Sequence, residues 1–407
     1  MFVSKPPMGW NSWNTFGENI NEQLIMETAD KMVEDGYLAA GYEYLVIDDC
    51  WSLRQRGEDG RIVPDPKKFP HGMKYVADYV HSKGLKFGMY SCAGLMTCAD
   101  YPGSYDHEYI DAQTFAEWGV DYLKYDFCNF PKIANGEQRY RVMSMALKAC
   151  GRDILFAACN WGSDNCHHWM RSAGAHIYRS TGDIFDKFNS TMWIAQNQAK
   201  MLYASAPNCF NDMDMLTIGM YGKGNVAMVD PEDPTKGLPT DEEYKTQFAL
   251  WCAFGSPLMI GGDIRNMNAF CKDLLQNKNL IEINQDAACN APIVLESSED
   301  AIVFARHMSD NSVVLGFVNG GAEACNMYMF LDEIGLPSHA PYVLHGKDAF
   351  TGEDLGVLSD YLLLSVPSHG CRLIRANSRE TCMQVKKQQL EPDMEQWTGS
   401  KSGKEYI

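Results

Sequence analysis

Apolar residues recur along the first two thirds of the chain in two rhythms that take turns. From about Asn21 to Asp35 they fall at helical spacing, with Leu24, Ile25, Thr28, Met32 and Val33 on one stripe. Gly36 and Gly41 follow, and then an unbroken apolar run, Tyr44-Leu45-Val46-Ile47, that ends in Asp48-Asp49. The unit returns with Met73, Val76, Ala77 and Val80, Gly84, and a run from Leu85 to Tyr90. It returns again with Phe115 and Trp118, Gly119, and a run from Val120 to Asp126. Two further copies pass through Gly151 to Ile154-Leu155-Phe156-Ala157-Ala158 and through Gly174 to Ala175-His176-Ile177-Tyr178. Glycine closes a helix because the position after its last turn is commonly left-handed. Unbroken apolar strands are covered on both faces. Helix–glycine–strand units in series therefore predict parallel strands joined by helical crossovers. Met8-Gly9-Trp10, Cys209-Phe210 and Pro257-Leu258-Met259-Ile260 bring the strands to eight by about residue 262, the number and length of a (β/α)8 TIM barrel. A doubly wound open sheet is the competing α/β layout, but neither GxGxxG nor GxxxxGK[ST] occurs.

After about Asn290 the helical rhythm stops. Short runs take over that are expected to alternate: Ala301 to Ala305, Ser312 to Val318, Tyr361 to Val366 and Cys371 to Ile374, with turns at Ser309-Asp310-Asn311 and Asn319-Gly320-Gly321. The expectation is a catalytic barrel over 1–290, a small antiparallel β-sandwich over 291–376 and a polar tail over 377–407.

Composition adds limits. The chain has 407 residues, 45% hydrophobic, 22% charged and 12% aromatic, which is ordinary globular usage. Its net charge of −18 would repel nucleic acid and anionic membrane surfaces, so neither is expected as a partner. No apolar run approaches the ~18 residues of a membrane span. The start, Met1-Phe2-Val3-Ser4-Lys5-Pro6-Pro7, has neither a basic nor an apolar leader region, which predicts no signal peptide and a cytoplasmic location. The 14 cysteines include no CxxC or CxxH, which points to buried free thiols rather than a zinc or redox site. His167-His168 lacks a third ligand at helical spacing and reads as a surface pair.

Barrel chemistry lies at the C-terminal strand ends. Those ends carry Trp13; Asp48, Asp49 and Trp51; Tyr90; Lys124 and Asp126; Asn160 and Trp161; Arg179 and Asp183; Asp212 and Asp214; and Asp263. Carboxylates take hydrogen bonds from hydroxyls and aromatic faces stack on C–H faces, so the set suits a small neutral carbohydrate. A single such Asp could equally cap the following helix. Eight strand ends at once favour the site.

Five motifs on these strands carry a resemblance: Met8-Gly9-Trp10-Asn11-Ser12-Trp13, Ile47-Asp48-Asp49-Cys50-Trp51, Lys124-Tyr125-Asp126-Phe127-Cys128, Arg179-Ser180-Thr181-Gly182-Asp183-Ile184 and Asn211-Asp212-Met213-Asp214-Met215-Leu216. Together they closely resemble glycoside hydrolase family 27, the α-galactosidases and α-N-acetylgalactosaminidases. The resemblance implies a retaining α-galactosidase without a cofactor or metal, with Asp126 as nucleophile and Asp183 as general acid/base. It implies sugar contacts by Trp13, Asp48, Asp49, Tyr90, Lys124, Arg179 and Asp214, with Met215 nearby, and a disulfide between Cys98 and Cys128 beside the sugar. Lys124 is expected to keep Asp126 ionised, and Asp183 to be the carboxyl with the raised pKa. Family members often form homo-oligomers. Where galactose-specific members carry a glutamate for the 2-hydroxyl, this chain has Asn160, with Ser163 in the same loop. An α-N-acetylgalactosaminidase therefore stands as the alternative activity, and an inactive sugar-binding homologue as the alternative class.

Overall fold

The computed structural model describes residues 1–228, 232–233, 237–336, 342–358 and 361–380. All eight expected parallel strands form: β1 (Met8–Asn11), β2 (Tyr44–Val46), β3 (Lys86–Cys92), β4 (Tyr122–Asp126), β5 (Leu155–Cys159), β6 (Ile177–Arg179), β7 (Phe210–Asp212) and β8 (Leu258–Ile260). They pair in the order β7-β6-β5-β4-β3-β2-β1-β8. The ring closes just beyond β7, where Leu216 bridges in parallel to Ile260; its N–H donates to the Met259 carbonyl at 2.7 Å and its carbonyl accepts from Gly261 at 2.9 Å.

The two-residue pleat sorts each strand between two cores. Tyr44 and Val46, Tyr122, Leu155 and Ala157, Ile177, Phe210 and Met259 fill the barrel interior. Their neighbours Leu45, Leu123 and Tyr125, Phe156 and Ala158, Tyr178, and Leu258 and Ile260 pack outward under the helices. The barrel is tight. A Cβ on Gly9 would stand 2.3 Å from the Tyr44 carbonyl oxygen, so β1 can lie this close only without a side chain there. Of the first helical stripe, Leu24, Ile25, Thr28 and Met32 are buried on the helix Glu22–Glu34, which Asn21 caps by accepting from the Leu24 N–H. Val33 is exposed, because a residue directly after Met32 is turned about 100° away from it.

The C-terminal part is an antiparallel sandwich. A six-stranded sheet runs β14 (Asp354–Leu358), β13 (Tyr342–Asp348), β16 (Cys371–Glu380), β11 (Val313–Asn319), β10 (Ala301–His307), β9 (Ile293–Ser297). It faces a pair made by β12 (Cys325–Phe330) and β15 (Tyr361–Val366). The expected alternation is absent from β10 and β11, whose interiors are buried on both faces. Val303, Ala305, Leu315 and Phe317 enter the sandwich core, while Ile302, Phe304, Val314 and Val318 join the core of the barrel. β16 runs on to Glu380, past the expected start of the tail at residue 377, because it pairs with β13 as far as Tyr342↔Glu380. Residues 381–407, the rest of that expected tail, lie outside the described residues.

Candidate active site

Along the barrel interior the same inward register that begins apolar ends polar. After Tyr122 come Lys124 and Asp126 on β4; after Ile177 comes Arg179 on β6; after Phe210 comes Asp212 on β7. Two-residue periodicity alone therefore aims Lys124, Asp126 and Arg179 into the C-terminal mouth, with Asp212 just beneath it. A cavity of ≈ 200 Å³ sits there, lined by Trp13, Asp48, Asp49, Tyr90, Cys98, Lys124, Asp126, Arg179, Asp183, Asp214 and Met215 among the sequence-expected residues.

Two ion-paired groups organise it. In the first, the Lys124 ammonium donates to Asp48 Oδ2 at 2.8 Å, and the Asn11 amide donates to the same oxygen at 2.8 Å. Asp49 accepts from the N–H groups of Cys50 at 2.7 Å and Ala99 at 3.1 Å. Burial raises Asp49 above its ordinary value in spite of those donors. Asp126 accepts from the Tyr90 hydroxyl at 3.1 Å and the Phe127 N–H at 2.9 Å. Burial pushes the Asp126 carboxyl up to about 6, outweighing Lys124 and the Phe127 N–H, while Asp183 and Asp48 add to the rise. The expectation that Lys124 would dominate needs correcting: its ammonium is engaged with Asp48, and desolvation wins.

In the second group, buried Arg179 reaches Asp214 Oδ1 at 2.9 Å and Asp183 Oδ1 at 3.0 Å. Burial alone would lower the guanidinium, but Asp214, Cys159, Asp183 and Asp212 together outweigh it and raise it above its ordinary value. Asp214 holds a left-handed φ of 74° and accepts from the N–H groups of Met215 and Ile184, both at 2.8 Å. Burial raises it too. Asp183 differs from every other carboxylate here, since its side chain is 61% exposed at the mouth. Below the floor, Asp212 accepts from the Asp214 N–H at 2.9 Å, and burial pushes it up to about 6.

Comparison with known proteins decides what this geometry belongs to. The family described as alpha galactosidase A matches residues 5–286, and the alpha galactosidase C-terminal beta sandwich domain matches residues 298–376. The chain belongs to glycoside hydrolase family 27, the α-galactosidase family. An α-galactosidase of Cyamopsis tetragonoloba is 40% identical over 369 residues, 90% of this chain and 85% of that protein. The solved α-galactosidase I of Mortierella vinacea superposes with a TM-score of 0.85 at 32% identity, covering 93% of this chain and 98% of that one. The α-galactosidase of Saccharomyces cerevisiae solved with raffinose gives 0.82 at 28% identity, covering 92% and 98%.

Three residues that the family resemblance assigned to the sugar do not line the cavity of this family 27 chain. Cys128 is joined to Cys98 in a disulfide, and only Cys98 faces the cavity. With Asp126 these two sulfurs form a cluster of candidate metal-ligand atoms, but sulfurs bonded to each other offer no thiolate. Asn160 is fully buried and turned back on its own loop, its amide donating to the Ser163 carbonyl at 3.0 Å. Ser163 therefore contributes a carbonyl to Asn160 rather than a hydroxyl to the cavity. In return the cavity is lined by Asn14, Ile184, Phe185, Asn225 and Val226, which strand-end reasoning missed. Ile184 and Phe185 follow Asp183 directly and could have been included. Asn225 and Val226 come from a long loop tied to Thr15 and Asn14 by backbone hydrogen bonds of 3.2 and 3.1 Å, and no local pattern marks them.

Proposed function

We propose that this family 27 glycoside hydrolase cleaves terminal, non-reducing α-D-galactosides by double displacement, with Asp126 as nucleophile and Asp183 as acid/base. The observation that carries the reading is the contrast between two carboxylates of one cavity. Asp126 is buried on the floor and each of its oxygens accepts one donor, which fixes the orientation of the carboxylate beneath a bound sugar. Asp183 stands exposed at the mouth, where a leaving group must exit. Asp126 attacks the anomeric carbon as Asp183 protonates the departing oxygen; Asp183 then takes a proton from water as that water displaces Asp126. Asp48, Asp49, Lys124, Arg179 and Asp214 are the polar floor for the sugar hydroxyls, and Trp13 and Met215 its apolar wall. Ion pairing holds these groups in place before substrate arrives, so little reorganisation opposes the developing charge.

Incubation with an activated 2-fluoro-galactoside should leave one sugar on Asp126, found by peptide mass spectrometry, and product NMR should show retention. Label on Asp183 or Asp214, or inversion, would overturn the assignment. With Asn160 turned away from the cavity, no observation favours the N-acetyl alternative; a nitrophenyl glycoside panel varied at C2 tests that directly.

A further inference from the structure

Asp183 is short and exposed, so its position is set largely by the backbone that carries it. Three residues on, that backbone is tied down by a carboxylate of the opposite kind. Asp186 is 2% exposed and lines no part of the cavity. Its Oδ2 accepts from the Gly222 N–H at 2.7 Å and its Oδ1 from the Tyr244 hydroxyl at 3.0 Å. The same hydroxyl accepts from the Tyr221 N–H at 2.6 Å. Tyr221 and Gly222 hold left-handed φ of 47° and 72°, and a tyrosine keeps such a φ only where its surroundings impose it. The Asp186 N–H donates to the Val226 carbonyl at 3.2 Å, and Val226 and Asn225 line the cavity together with Ile184 and Phe185. Tyr244 belongs to the buried helix Asp241–Phe254, which contributes nothing to the cavity. Asp186 thus joins the segment bearing Asp183, a loop of the mouth and a helix of the core.

We infer that Asp186 is a positioning residue for Asp183: it latches segment 183–186 to the turn at 221–226 and to Tyr244, and so fixes the acid/base at the mouth. The inference rests on the acid/base role proposed for Asp183. Each oxygen of Asp186 meets a donor, so only a group that accepts at both ends satisfies the latch. An asparagine would turn its own N–H groups on one of those donors. The floor does not depend on this latch, because its charges are held by their own pairs, Lys124 with Asp48 and Arg179 with Asp214. Proton transfer is the step most sensitive to a slack backbone. A general acid has to come within hydrogen-bond distance of the glycosidic oxygen, and a displacement of about 1 Å costs on the order of a hundredfold. The latch therefore acts on protonation of the leaving group and not on binding of the galactose ring. A merely structural carboxylate would instead lower every activity alike.

The test compares methyl α-galactoside, whose leaving group needs a proton, with dinitrophenyl α-galactoside, whose leaving group does not. Free galactose, used as an inhibitor, reports on the floor alone. Asp186→Asn should lower kcat/KM on the methyl glycoside about thirtyfold, part of what a well-placed acid contributes. On the dinitrophenyl glycoside kcat/KM should move less than about threefold, and so should the galactose inhibition constant. Tyr244→Phe removes one donor of the latch with little change of shape and should give the same split on a smaller scale. It carries the test if Asp186→Asn does not fold. In an Asp183→Ala background Asp186→Asn should add no further loss on either glycoside, because the group it positions is gone. Equal losses on both glycosides would overturn the latch, and so would an unchanged Tyr244→Phe or a full additional loss in the Asp183→Ala background. If Asp183→Ala alone loses as much on the dinitrophenyl glycoside as on the methyl glycoside, the acid/base reading itself fails, a result distinct from failure of the latch.

Discussion

Asp126 must carry charge in a place that resists charge. Its carboxyl is raised from an ordinary 3.8 to about 6 by burial, so between those two values the folded chain holds a proton that the unfolded chain releases. Stability from this group is complete below pH 3.8 and is lost as pH rises through about 6, reaching about 3 kcal/mol above that. Asp126→Asn should therefore abolish turnover while raising the unfolding free energy at pH 7.5, with no gain at pH 3.5; thermal melts at the two pH values measure it. The same titration sets the acid limb of kcat/KM, which should fall below about pH 6 because a protonated nucleophile cannot attack. Asp126→Asn melting no higher than the parent at pH 7.5 would show that burial is not the controlling cause. At this scale the sequence was legible wherever a residue sits on a strand, because Lys124, Asp126 and Arg179 inherit their direction from the pleat. The balance between Lys124 and burial was not legible, since it depends on Asp48 capturing the ammonium across 76 positions of chain.

Strands and loops differ in how far a pattern determines them. Five of the barrel strands announce themselves as apolar runs that follow a helix-closing glycine, whereas β9, β12, β13 and β14 were missed because one face of each is polar or exposed and no long apolar run marks it. The loop after β5 is where side-chain direction defied the pattern: Trp161, Asp164 and Asn165 all take left-handed φ, which folds Asn160 inward and leaves its Oδ1 without a partner among the described residues. Asn160→Glu would set a carboxylate against the Ser163 carbonyl that now accepts a hydrogen bond from the Asn160 amide, a loss of about 3 kcal/mol read from the urea midpoint. A variant as stable as the parent, with sharper selection at C2, would show instead that this loop turns toward the sugar. The loop after β3 is tied down differently. A Cβ on Gly94 would fall 1.9 Å from the Cys128 carbonyl oxygen, the disulfide closes 30 positions of chain, and the loop returns the Ala99 N–H to Asp49. Cys98→Ser should lower stability by about 3 kcal/mol and raise KM for galactosides more than it lowers kcat, because Asp49 loses a fixed donor. A change in kcat alone would argue that the loop serves the chemical step.

At the scale of the molecule the sandwich completes the barrel rather than hanging from it. The helix Asp241–Phe254 is buried along nearly its whole length, from Tyr244 to Phe254, and its last turn ends against the sandwich. There Phe254 meets Phe304 edge to face at 5.3 Å, and the buried Arg306 guanidinium donates to the carbonyls of Cys252 and Ala253 at 3.2 and 3.0 Å. Helix ends leave such carbonyls short of partners: Cys252 also accepts from the capping Gly255 N–H at 3.2 Å, and the guanidinium from the second layer adds a donor to it and to Ala253. Farther along the seam, His369 stacks on Phe188 at 4.3 Å and pairs with Glu243 at 2.6 Å, and Phe188 begins the helix Phe188–Ala199. One face of the six-stranded sheet thus belongs to the barrel core, and buried hydrogen bonds cross the seam, so calorimetry should show a single cooperative transition. Arg306→Ala removes the donor from two buried carbonyls and opens a cavity, a cost of about 3 kcal/mol that charge burial only partly offsets. The residue lies far from the mouth, so kcat/KM of the folded variant should match the parent. The transition should remain single, because Phe304, His369 and the shared apolar faces still couple the layers. Two separate transitions in the parent chain would mean that the layers fold independently. If they appeared only in Arg306→Ala, the guanidinium would be the coupling itself rather than one of several ties.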